Sequence, residues 1–293
     1  MLVSELLKKA KEIELIARKN AHSLLAGDYT SIIPGRGLQF HEARKYVYGE
    51  SVRMIDWNMT ARLGEPYVKT FLEEREREVL IALDVSPSMM TGYQDRTKIE
   101  FAIELAATLA FSSMQSRDKI GYIIFNNEAL EIVRPRGGKS QLFRTIKAFL
   151  QKTEEMKGKE ATSDIRSVLH AVQKFKSSHF ILFIISDFLD RDLPDDLKFA
   201  RVEHDINMMH IYDPLEYQFT KEVFFPAISP EIEGNRKNFG FVNPGELGNL
   251  EQMKEYLKNA SIKYRMSVGS FSTTADIGKA LKEFFHLKKR VIV

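Results

Sequence analysis

The feature that most constrains this chain is a run of short apolar segments alternating with helical patterns, from Val79 to near the C-terminus. VLIALDV is followed by KIEFAIELAATLAFSSM, KIGYIIFN, SQLFRTIKAFL, DIRSVLHAVQKF, HFILFIIS, INMMHIYD and ADIGKALKEFFHL. Apolar runs without an exposed face suit strands buried on both sides, and helical patterns between them suit parallel crossovers. The alternation predicts an α/β fold: a mostly parallel central sheet with helices on both faces. Upstream, Leu6, Ala10, Ile13, Ala17, Ala21 and Leu24 recur at three to four residue spacing, which predicts one amphipathic helix from Glu5 to Leu25, stopped at Gly27 and Asp28. The stretch from Ile33 to Arg62 mixes glycine, arginine and aromatics without a clean period and holds the only tryptophan, Trp57. These patterns divide the chain into an N-terminal helical and irregular segment, 1–76, packed on a main domain, 77–293. The section from Glu222 to Val242 breaks the alternation and reads as a hairpin or excursion around Gly234 and Asn235 at a sheet edge.

Two of the apolar runs end in aspartate. LIALDVSPSMM places Asp84 at a strand end with hydroxyls following at Ser86 and Ser88, and HFILFIISD ends in Asp187. Open α/β sheets bind ligands beyond the C-terminal ends of their strands. Mg²⁺ takes oxygen ligands at roughly 2.0–2.1 Å and keeps several waters, so one carboxylate with two neutral hydroxyls leaves the ion electrophilic. The plainer reading is that Asp84 and the serines cap a helix. Between the two runs lies ATSDIRSVLHAV, a loop entering a helix with hydroxyls at Thr162 and Ser163. Together the three segments resemble the metal-ion-dependent adhesion site (MIDAS) of von Willebrand factor A (vWA) domains, a Rossmann-like fold. The resemblance implies a divalent cation, Mg²⁺ or another, at Asp84, Ser86, Ser88, Ser163 and Asp187. It implies direct contact from the hydroxyls and contact through water from the aspartates, and it leaves open whether Thr162 or Ser163 supplies the third hydroxyl.

The run from Gly35 to Arg75, GRGLQFHEARKYVYGESVRMIDWNMTARLGEPYVKTFLEER, is similar to the signature of the DUF58 family, which precedes a vWA-like half. The glycine pair, Phe40, Arg44, Tyr46, Gly49, Arg53, Asp56, Trp57 and Arg62 stand where the family has them. Glu50 replaces the usual aspartate, and the likeness extends to IYDPLE at Ile211 to Glu216. Physically, Arg53, Asp56 and Arg62 are read as an ion-paired brace over Trp57, since arginine pairs bidentately with carboxylates. The alternatives are a docking face for an acidic partner or for nucleic acid, the latter opposed by Glu42, Glu50 and Asp56.

Composition excludes more than it selects. The sequence of 293 residues has 44% hydrophobic and 28% charged residues, ordinary for a globular chain. A net charge of +3 gives no broad field for nucleic acid. The absence of cysteine removes thiol catalysis and thiolate metal sites. The longest wholly apolar run, Phe180 to Ile185, falls far short of the ~20 residues that span a bilayer. The N-terminus lacks a signal-peptide core, so a cytoplasmic protein is expected. Gly138-Lys139-Ser140 lacks the first glycine of a phosphate-binding loop, with Val133 in its place, and reads as a helix start. The acidic residues Asp190, Asp192, Asp195 and Asp196 read as a solvated loop with helix caps. The expectation is a non-enzymatic MIDAS module that grips an acidic side chain of a protein partner. DUF58 proteins are commonly encoded beside MoxR-type AAA+ ATPases, so the resemblance implies an adaptor in protein remodelling or assembly. The competing class is a Mg²⁺-dependent hydrolase using metal-bound water, for which no general base stands out.

Overall fold

Alternate residues of the apolar runs face opposite sides of a six-stranded sheet, so each strand feeds two cores. The computed structural model describes residues 3–25, 38–73, 76–92, 96–175, 179–189, 193–217 and 250–292. They group into two compact units, one of Met1–Tyr29 with Glu78–Val293 and one of Thr30–Arg77. In chain order the elements are α1 (Val3–Leu25), β1 (Leu38–Lys45), α2 (Trp57–Leu63), β2 (Tyr67–Glu73), β3 (Glu78–Asp84), α3 (Lys98–Gln115), β4 (Lys119–Phe125), β5 (Ala129–Arg136), α4 (Lys139–Met156), α5 (Ile165–Gln173), β6 (Phe180–Ser186), α6 (Leu197–Glu203), β7 (Asp205–Tyr212), α7 (Leu250–Tyr264), β8 (Ser267–Ser272) and α8 (Ile277–Ile292). The expected hairpin at Gly234 lies outside the described residues, as do Asp190 and Asp192.

The larger unit has strand order β5-β4-β3-β6-β7-β8, parallel throughout except for β5, which returns antiparallel along β4. This is the mostly parallel α/β sheet that the alternation predicts. Val79, Ile81 and Leu83 of β3 enter a core shared with α1, α3, α4 and α8, while Leu80 and Ala82 enter a second core with α5, α6 and α7. The two-residue period of a strand thus places helices on both faces. Helix α3 is buried nearly all round, as a helix packed on several sides must be. It starts with a capping box between Thr97 and Glu100. Helix α4 begins at Lys139 after Gly138, so that GKS stretch is the helix start read from the sequence. Helix α1, grouped by sequence with the segment ending at residue 76, belongs instead to the larger unit: Ala10, Ile13, Ala17 and Ala21 enter the first core.

In the smaller unit β1 and β2 pair antiparallel, with a register shift between Phe40 and Glu42. The connection between them carries α2, whose N-cap Asp56 accepts hydrogen bonds from Asn58 N (3.1 Å) and Met59 N (3.3 Å). Gly64 closes α2 at φ 76°, a left-handed conformation that favours glycine. The ion-paired brace does not form. Asp56 is engaged as a cap, Arg53 and Arg62 are exposed, and Trp57 is 64% exposed. The reason is local: at Asp56 the chain enters a helix whose free N–H groups take the carboxylate first.

Candidate metal centre

The site is built at the C-terminal ends of neighbouring strands. β3 and β6 run parallel with Leu83 opposite Ile185, so Asp84 and Ser186 end side by side. Asp84 is fully buried, and its Oδ2 accepts hydrogen bonds from Ser186 Oγ (2.6 Å) and Ser163 Oγ (2.7 Å). Its Oδ1 accepts from the Ser86 amide at 2.8 Å, which turns the chain back over the strand end. Pro87 then opens a short 3-10 turn to Met90 that brings Ser88 Oγ to 3.0 Å from Ser86 Oγ. The loop bearing Ser163 is pinned to the end of β4 by Asp164 N donating to Asn126 O at 3.0 Å. Asp164 itself caps α5 by accepting from Arg166 N at 2.8 Å. Ser163, rather than Thr162, is therefore the hydroxyl turned to Asp84.

Asp187 follows β6 and is buried beside this cluster. The next residue, Phe188, holds φ at 50°, a left-handed conformation that is costly for a bulky side chain and is often found at functional turns. Asp187 Oδ2 accepts a hydrogen bond from Lys98 Nζ at 2.8 Å, and Lys98 also pairs with Glu216 Oε1 at 2.6 Å. The lysine is wholly buried. Burial pulls its ammonium down, but the charges and hydrogen bonds of Asp187 and Glu216 outweigh that and hold it above the ordinary lysine value. Thr91 Oγ1 joins the two sides, lying 2.7 Å from Ser88 O and 3.2 Å from Glu216 Oε1. Asp213, at the end of β7, is buried as well, and its Oδ1 accepts from Leu215 N at 2.9 Å. Three adjacent strands thus end in buried aspartates.

Sequence reasoning missed Lys98, Ser186, Asp213 and Glu216 as parts of this cluster. One signal was available: a lysine at the first position of a helix opposes the positive end of the helix dipole and needs carboxylates to hold it. His210 sits across from Ser186 in the β6–β7 ladder. Burial lowers its imidazole to about 3, so the ring is neutral at pH 7. Its Nδ1 lies 3.1 Å from Ser270 Oγ, while its buried Nε2 has no hydrogen-bond partner among the described residues.

Burial, and after it the charge of Asp187, raises the Asp84 carboxyl to about 6, against the downward pull of its hydrogen bonds from Ser186, Ser163 and Ser86. Among the described residues Asp84 has hydroxyl and amide partners but no cation, so a buried carboxylate lacks a counter-charge. No group of three or more His, Cys, Asp or Glu is placed among the described residues to hold a metal, so a cation here would depend on hydroxyls. Ser86, Ser88 and Ser163 supply such hydroxyls around the Asp84 carboxylate, a donor set that fits a small hard cation.

The family described as "Protein of unknown function DUF58" matches residues 42–226, more than half of the chain. The chain belongs to the DUF58 family. Uncharacterized proteins of Mycobacterium bovis and Mycobacterium tuberculosis are each 27% identical to this DUF58 protein over 212 residues, 71% of its length. The chain spans 65% of those relatives, just under two thirds. Similar solved structures include the conserved hypothetical protein BatB from Bacteroides thetaiotaomicron, at 16% identity and a TM-score of 0.48, covering 73% of this chain and 99% of that one. A second is the SpRpn10 VWA domain, at 9% identity and a TM-score of 0.37, covering 71% and 93%. A third, described as an aerotolerance-related membrane protein from Bacteroides fragilis, matches at 16% identity and a TM-score of 0.44, covering 73% and 98%. Among the described residues of this DUF58 protein no helix is long and apolar enough to cross a membrane.

Proposed function

We propose that this DUF58 protein is a non-enzymatic binding module of the vWA type, with Mg²⁺ or another divalent cation held by Asp84, Ser86, Ser88, Ser163 and Asp187. The observation that carries the reading is the convergence of Asp84 and three hydroxyls from two separate loops at one buried strand end. A divalent cation bound there would supply a coordination position for a carboxylate of a partner protein. The chain's own residues set the terms of that binding. Ser86, Ser88 and Ser163 offer neutral oxygens, Asp84 offers the carboxylate with no cation beside it, and Lys98 is shared by Asp187 and Glu216. Because three of its proposed ligands are neutral hydroxyls, a bound cation would stay attractive to an acidic side chain. Taken with the family's association with MoxR-type AAA+ ATPases, the module acts as a cytoplasmic adaptor that presents an acidic partner to such a motor. The test is affinity capture of the ATPase with wild type and Asp84→Ala, in millimolar Mg²⁺ and in EDTA. Recovery by wild type in Mg²⁺ alone is the expected result. Equal recovery in all four conditions would overturn the role given to the metal.

A further inference from the structure

The connection between β1 and β2 in the smaller unit carries the family signature, yet the metal reading makes no use of it. We propose that residues 46–66 form a docking face for a protein partner whose surface joins acidic side chains to an apolar anchor. Half of the exposed large apolar side chains of the described residues fall within this one short connection: Val47, Tyr48, Val52, Met54, Trp57 and Leu63. Apolar residues exposed singly are ordinary, whereas a concentration of them marks a contact surface. Tryptophan, tyrosine, methionine and arginine are also the types enriched at interface centres.

The display is held in place by its backbone. Asp56 N donates to Tyr67 O and Tyr46 N to Pro66 O, both at 2.8 Å, and Ile55 bridges Val68. A face fixed in advance loses less entropy on binding. Its charges point to the kind of partner. Each acid of the stretch is occupied: Glu50 by Arg44, Glu65 by Lys45, and Asp56 by the first turn of α2. Arg53 and Arg62 are exposed, and neither makes an ion pair or side-chain hydrogen bond among the described residues. The charge left to offer is positive, which favours an acidic surface. Two free arginines among three carboxylates are too few for a phosphate chain, whose binding rests on neutralising many phosphates. They also fall below the four to eight clustered basic residues that mark an anionic membrane site. The partner that fits is a protein.

The test places the photo-cross-linker benzoylphenylalanine at Tyr48, which is 99% exposed, in the full chain in its native cells, and maps the cross-linked peptides by mass spectrometry. The expected result is attachment to an acidic segment of another protein. Arg53→Glu with Arg62→Glu should reduce it at least tenfold, while Arg53→Lys with Arg62→Lys should retain it. The mapped segment, made as a peptide, should shift the emission of Trp57, the only tryptophan, in EDTA as well as in Mg²⁺. That arm separates this face from the metal site: an Asp84→Ala chain should bind the peptide as wild type does. Cross-links confined to the same chain or a second copy, to nucleic acid or to lipid, or indifferent to charge reversal, would overturn the proposal.

Discussion

Lys98 carries a full charge into a place shielded from water, and two carboxylates keep it there. Removing one partner of a buried pair strands the other at a cost of about 3–5 kcal/mol. Lys98→Met keeps most of the volume and leaves Asp187 and Glu216 facing each other without a cation. Calorimetry in EDTA should show that loss, and Mg²⁺ should restore more stability to the variant than it adds to wild type. A variant as stable as wild type in EDTA would remove the lysine from this account. Asp84 makes a prediction of opposite character. Its folded-state pKa is raised to about 6, above the usual carboxylate value, so between the two values the folded state holds a proton that the unfolded state has lost. Stability from this group is therefore present below the ordinary carboxylate pKa and lost as pH rises towards about 6. His210 works against it, because a depressed imidazole costs stability as pH falls below its ordinary value. Comparing wild type with Asp84→Asn in EDTA cancels the histidine: the wild-type advantage should shrink steadily from pH 4 to pH 7. A constant difference would show that Asp84 titrates normally.

Among the elements, how much was legible in sequence follows burial. β3, β4 and β6 carry unbroken apolar runs, and β7 a run interrupted only by the buried Asn207 and His210, because both faces are covered, and each was readable. β5 (ALEIVRPR) and β8 (SVGSFS) lie at the sheet edges with mixed exposure, so neither has the run or the strict alternation that marks a strand. β1 and β2 escaped for a related reason, since among the described residues they form a two-stranded sheet of their own. The metal candidates were legible because strand ends and turns concentrate oxygen side chains in short stretches. Lys98 and Glu216 were not, since only tertiary packing brings Asp187 and a loop 118 residues beyond the helix start to the same lysine. Gly121 of β4 tests the β5 return. A Cβ there would lie 2.6 Å from Val133 O and 2.7 Å from Pro135 N, both backbone atoms. Gly121→Ala should cost about 1–3 kcal/mol by forcing β5 away from β4, read as a lower denaturation midpoint. An unchanged midpoint would mean that the edge strand shifts freely.

For the molecule as a whole, a cation that binds only the folded state must raise its stability. At one hundred times the dissociation constant the gain is about 2.7 kcal/mol. Melting in rising Mg²⁺ should therefore move upward in wild type and hardly at all in Ser86→Ala, and a flat wild-type titration would count against the site. The position of α1 has a consequence of another kind. Its apolar stripe packs on α3, α4 and α8, so α1 closes in part against a helix that is synthesised long after it. During synthesis that stripe waits uncovered until α3 and α4 follow it, and is completed only when α8 arrives, an interval in which holdase chaperones find such surfaces. Translation speed and chaperone supply, more than the strength of any one contact, would then govern the yield of correctly folded molecules.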